Sequence, residues 1–109
     1  MDWNDGKWQQ AGRTIRDEEE ASFGASIALS SDGSRIVVGA WQALERTGYV
    51  RVYGWEDSTW KQIGNAHFGE TPGDAFGGRV AISSDGSRFV VGGSGHREEA
   101  GHARVFEIA

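Results

Sequence analysis

Hydrophobic and polar positions along the chain fall into short runs with strand-like periods. In SIALS (26–30) and RVAIS (79–83) two aliphatic residues share one face and small or polar ones take the other, the alternation of a half-buried strand. Each run leads into Asp-Gly, at Asp32-Gly33 and Asp85-Gly86, which predicts a tight hairpin turn with positive φ. RIVVGA (35–40) and RFVVGG (88–93) are continuous apolar runs and predict strands covered on both faces. GYVRVYGW (48–55) alternates more openly, with Val50 and Val52 on one side and Tyr49, Arg51, Tyr53 and Trp55 on the other. After the polar turn Asp57-Ser58-Thr59, WKQIG (60–64) predicts a fourth, outermost strand on which Trp60 packs against Trp55 across the hairpin. Helix is expected to be absent or limited to a single turn.

The same pattern is written twice. FGASIALSSDGSRIVVGA (23–40) returns as FGGRVAISSDGSRFVVGG (76–93), a spacing of 53 residues that holds through GYVRVY (48–53) and GHARVF (101–106). A second pair, WNDGKWQQAG (3–12) and WEDSTWKQIG (55–64), is spaced by 52. Glycine-rich strands repeating at a period near 50 residues point to an all-β fold of β-propeller blades, each of four antiparallel strands. In this reading residues 1–15 form an outermost strand, 16–68 a complete blade and 69–109 a three-stranded partial blade. The phase is thus circularly permuted. Two blades close no ring, since propellers hold four to eight, so the chain is expected to complete one with copies of itself. Three chains give six blades and four give eight. Each N-terminal strand, with Trp3, Trp8 and Gln10, would pair with the strand of a neighbour that carries Arg104, Val105 and Phe106.

Composition narrows the chemistry. Eleven Lys and Arg against sixteen Asp and Glu give a net charge of −5, which disfavours a phosphate-binding surface and hence nucleic acid as a partner. Cysteine is absent, which excludes disulfides and thiolate metal sites. No apolar run approaches transmembrane length, and MDWNDGKWQQ lacks the basic start and apolar core of a signal peptide, so no membrane association is expected. Seventeen glycines with one proline and five tryptophans suit short strands joined by tight turns.

The Phe-Gly pair that opens each unit, with GDAFGG (73–78) and the downstream VVGA (37–40), resembles the FG-GAP repeats of integrin-type propellers. The run from SSDGSRIVVGA (30–40) to GYVRVYGW (48–55) also resembles the second half of a WD-repeat blade. The resemblance implies propeller blades and specifies no ligand. The acidic calcium loop of many FG-GAP blades is missing, and so are the Gly-His and Trp-Asp dipeptides of WD repeats.

Catalysis is not expected. His67, His96 and His102 share no ligand spacing, and the Ser30-Ser31-Asp32 set recurs as turn chemistry without a histidine, so neither a metal, a cofactor nor a nucleophile is indicated. The run Arg16 to Glu20 and its counterpart Gly69 to Asp74 lead into the first strand of each unit. They are expected to share one face with the loops 41–47 and 94–100, where the two copies differ most. Trp41 is the candidate to stack on a sugar, to anchor a protein partner or to pack on the next blade. Glu45, Arg46, Asp74, His96 and Arg97 are its polar companions. The expected function is a non-enzymatic, self-assembling scaffold or binding module, with a carbohydrate-binding lectin as the alternative.

Overall fold

The structure, a computed structural model, describes residues 2–4, 7–17, 22–96 and 100–108. Among these it is an all-β molecule built from antiparallel sheets. Sheet one has the order β3 (Ser26–Leu29), β4 (Arg35–Ala40), β5 (Tyr49–Glu56) and β6 (Thr59–Gln62). β7 (His67–Phe68) takes over the edge of β5 where β6 leaves it. Sheet two has the order β8 (Arg79–Ile82), β9 (Arg88–His96) and β10 (Ala100–Glu107). β1 (Asp2–Asn4) and β2 (Lys7–Gln9) form a separate hairpin. The described residues form no closed ring.

The two Asp-Gly turns are built alike, but differently from a two-residue hairpin turn. Only the glycine is left-handed, with φ of 76° at Gly33 and 75° at Gly86. Asp32 instead organises the loop: its Oδ1 accepts from the Ser34 N–H at 2.9 Å, from Ser34 Oγ at 2.7 Å and from Ser30 Oγ at 2.9 Å. Asp85 repeats these bonds with Ser87 and Ser83. The true two-residue turn joins β5 to β6, where Glu56 faces Thr59 and both Asp57 (φ 53°) and Ser58 (φ 64°) are left-handed. The N-terminal copy has Gly6 where this turn has Ser58.

The structure adds two further features. Within the segment 1–15, residues 2–4 pair antiparallel with residues 7–9, Trp3 opposite Trp8. The side of β5 that carries the two tyrosines is covered: Tyr49 and Tyr53 are buried, and Arg13 to Arg16 run past Tyr53 and Trp60. The Tyr49 hydroxyl donates to Asp17, whose carboxylate also pairs with Arg51 at 3.5 Å. An aromatic face next to a chain segment that can shield it does not stay in water.

The core lies between the sheets. Val37, Val50 and Val52 of sheet one meet Phe89 and Val91 of sheet two and Phe76 of the loop that leads into it, with Val80, Ile82 and Phe106 packed around them. The first strands and turns of the two sheets also adjoin, and the Ser31 N–H donates to the Ser84 carbonyl at 3.1 Å. Val37 and Val38 are both buried, as a continuous apolar run requires.

These turns give two tests. Gly33→Ala adds a Cβ in open space, so backbone strain alone acts and stability should fall by about 1 kcal/mol. Ser58→Gly should raise it by a similar amount, both read as shifts in the thermal midpoint. Hydrogen bonds from the Ser87 N–H and hydroxyl, then from Ser83, lower the Asp85 carboxyl from 3.8 to about 2. Because the folded value lies below the unfolded one, this contribution is present above pH 3.8 and lost as pH falls toward 2. The midpoint difference between wild type and Asp85→Ala should therefore shrink over that interval.

Candidate functional site

Two loops meet at the end of the molecule where β4 and β9 finish. In the first, Ala43–Arg46 is a single left-handed turn, with φ of 56° at Leu44, 56° at Glu45 and 67° at Arg46. Such a conformation costs about 1–2 kcal/mol per non-glycine residue. Its carbonyls are turned onto the loop leading into sheet two: Gly73 N–H donates to Glu45 at 3.2 Å, Ala75 to Arg46 at 2.6 Å and Phe76 to Thr47 at 3.1 Å. The second loop is tied by Asp74, whose side chain is fully buried. The Asp74 carboxylate accepts from the Glu70 N–H at 2.8 Å, the Thr71 N–H at 3.1 Å and the Thr71 hydroxyl at 2.8 Å.

Between these loops and the end of sheet two lies a cleft of about 650 Å³. Trp41 and Arg46 line one wall, with the Arg46 guanidinium 5.3 Å over the Trp41 ring. Arg79, Gly92, Gly101 and His102 line the rest. Its lining supplies cations and an aromatic face that is shared with a guanidinium. Of the residues singled out from sequence, the structure therefore unites Trp41 and Arg46. Glu45 contributes its backbone carbonyl to the loop junction, with its side chain exposed, and Asp74 is turned inward as a loop organiser. His96 ends β9, and its side chain, Arg97 and Glu18 to Glu20 fall outside the described residues.

Sequence reasoning missed Arg79 and His102 in this cleft. The available signal was the repeat, since His102 stands where the first unit has Tyr49. The His102 ring lies parallel to Phe76 at 6.2 Å. His67 sits 4.5 Å from Phe106 and 5.8 Å from Phe89, where burial and then the Arg104 charge push its pKa down, favouring the neutral ring.

The residues read as assembly elements divide by strand alternation. Arg104 and Phe106 turn inward: the Arg104 guanidinium lies 4.3 Å over Phe76, its Nη2 donates to the Phe68 carbonyl at 2.7 Å, and Phe106 stacks on Phe89 at 5.0 Å. Val105 points out and is 67% exposed. β10 pairs with β9 on one edge and with no strand among the described residues on the other. Its counterpart β5 carries β6 and β7 there. Trp8 is exposed, Trp3 faces it in the hairpin register, and Gln10 reaches the Thr14 hydroxyl at 3.2 Å.

Asp74→Ala tests the inward assignment. It should strip three accepted hydrogen bonds from the loop and lower stability by about 2 kcal/mol, seen as a lower thermal midpoint. A residue held for ligand contact alone would leave the midpoint unchanged. No protein-family model matches this chain, and no curated protein and no solved structure is similar to it.

Proposed function

We propose that the chain is a non-enzymatic β-propeller building block, which assembles with copies of itself by exchanging an outer strand and serves as a scaffold or binding module. Three chains would give six blades and four would give eight. The observation carrying this reading is that residues 2–4 and 7–9 repeat, pair for pair, the rim hairpin of sheet one. Trp3 opposite Trp8 and Asn4 opposite Lys7 reproduce Trp55 opposite Trp60 and Glu56 opposite Thr59. Gly12, at φ 76°, reproduces Gly64 at φ 68°. Among the described residues, the chain thus holds an outer-strand hairpin paired to neither larger sheet, and in β10 a sheet edge that pairs with no outer strand.

Energetics favours joining them. A hairpin with three residues on each side is marginal in water, and an open strand edge leaves donors and acceptors for another chain to meet. In the exchanged form β2 and Gln10 would lie along Phe106 to Ile108 of a neighbour, as Trp60 to Gln62 lie along β5. β1 would give up its place to that neighbour's strand. The register also locates the free edge: Ile108 N–H donates inward to the Ser87 carbonyl at 2.7 Å, so by alternation the N–H groups of Val105 and Glu107 face outward.

Glu107→Pro removes one outward donor and leaves the inward ladder intact. Native mass measurement should show a multimer of the wild-type chain and a smaller species for Glu107→Pro, with the thermal midpoint of the dilute chain little changed. A wild-type chain that stays monomeric, or a variant with the wild-type mass, would refute strand exchange.

A further inference from the structure

The loop that leads into sheet two meets the end of sheet one at glycines. A Cβ on Gly39 would collide with the Gly77 carbonyl oxygen, and one on Gly48 with the Phe76 carbonyl oxygen. The backbone of Phe76 and Gly77 therefore lies directly on the end of sheet one, bridged in parallel to Gly48. The repeat places Gly92 and Gly101 at the same positions in sheet two, and there the ground is open. The nearest atoms to an added Cβ are 3.8 Å away at Gly92 and 3.5 Å at Gly101. Gly39 shares its face of β4 with Val37, which packs on sheet two; Gly92 shares its face of β9 with Val90, which is turned away from sheet one.

The opposite half of the contact is repeated as well, on the other side of the molecule. An added Cβ on Gly77 would stand 2.8 Å from the Tyr49 carbonyl oxygen, whereas its counterpart Gly24 has nothing within 4 Å. Val80 and Ile82 of β8 pack against the core, but the matching Ile27 and Leu29 of β3 are 62% and 56% exposed. On the outer face of sheet two, Ala81, Val90 and Val105 line a shallow hollow of about 260 Å³. Their counterparts in sheet one, Ala28, Val37 and Val52, face sheet two. Arg35 donates from Nη1 to the Gly86 carbonyl at 2.6 Å, while its counterpart Arg88 pairs with the exposed Glu107, at 3.7 Å.

From this we infer that the outer face of sheet two is the seat of a second copy of the chain, taking the Phe23-Gly24 backbone over Gly92 and Gly101 and the Ile27 and Leu29 side chains of β3 into the adjoining hollow. The contact reproduces between chains what Phe76, Gly77, Val80 and Ile82 make within one. Arg88 then faces the Gly33 carbonyl of the second copy. The surface is heterologous, with one receiving face and one presenting face per chain. This inference rests on the assembly reading above, but on sheet faces and not on the exchanged strand.

The test uses two full-length variants. Gly92→Val fills the seat, and within the chain its Cβ meets only ordinary contacts, so the melting curve of the dilute protein should stay close to wild type. Leu29→Lys spoils the presenting face at an exposed position. Each variant alone should self-associate about tenfold or more weakly than wild type in sedimentation equilibrium. Mixed, they should form a one-to-one dimer, because Gly92→Val still presents a sound β3 and Leu29→Lys still offers a sound seat. Gly92→Val assembling like wild type, or a mixture no heavier than its components, would overturn the seat. Strand exchange would then stand or fall by the Glu107→Pro result, and a wild-type chain that is monomeric throughout would overturn both.

Discussion

The structure depends on one close approach, that of the Phe76-Gly77 backbone to Gly39 and Gly48. No side chain fits between these segments, so the distance between the sheets is set by main chain against main chain. Phe76 is fully buried because this approach carries its ring in among Val37, Val50 and Val91. Core packing of this density gains from every methylene, and truncating a ring at such a site typically costs about 3–5 kcal/mol. The glycines therefore act on stability through the aromatic and aliphatic side chains they allow to meet.

The same approach explains the backbone strain outside the β5–β6 turn. Leu44, Glu45, Arg46 and Ala75 all have positive φ without being glycine, and all lie in the two loops that bracket the glycine contact. Their cost is offset by the hydrogen bonds that Glu45, Arg46 and Thr47 accept from the facing loop, and by the three that Asp74 accepts inside it. A loop pair free in solution would relax these angles. Held between two sheets, it keeps its carbonyls aimed at donors that would otherwise be buried without partners.

Much of the strand layout was legible because the repeat compares the chain with itself. Alternation in SIALS and RVAIS, the apolar runs after them and the Trp55–Trp60 pair all found their strands. What the sequence could not display was tertiary cover. Tyr49 and Tyr53 alternate with Val50 and Val52 on the more open side of the pattern, yet Phe23, Phe68 and Ala43 close over Tyr49, and residues 13–16 pass beside Tyr53. Asp74 reads as one acid in a polar loop, since nothing in GETPGD (69–74) says that its carboxylate turns back on Glu70 and Thr71. Trp41 and Arg46 were found as a pair because both lie in the loop that differs between copies, whereas Arg79 and His102 joined them through the folding of distant segments.

Two units with nearly the same sequence do not have the same surroundings, and that inequality is the main physical content of the repeat. Each unit has a presenting face and a receiving face, and one internal contact uses one of each. Ile27 is exposed where Val80 is packed, and Gly92 is open where Gly39 is shut, although the pairs occupy equivalent strand positions. Within two units this excess remains, because one contact uses one face of each kind and leaves the other pair unused. Closure into a ring or contact with another copy is what removes them. Leu29 and Val105 stay exposed on these unused faces, whereas Ile82, the counterpart of Leu29, and Val52, the counterpart of Val105, pack in the core.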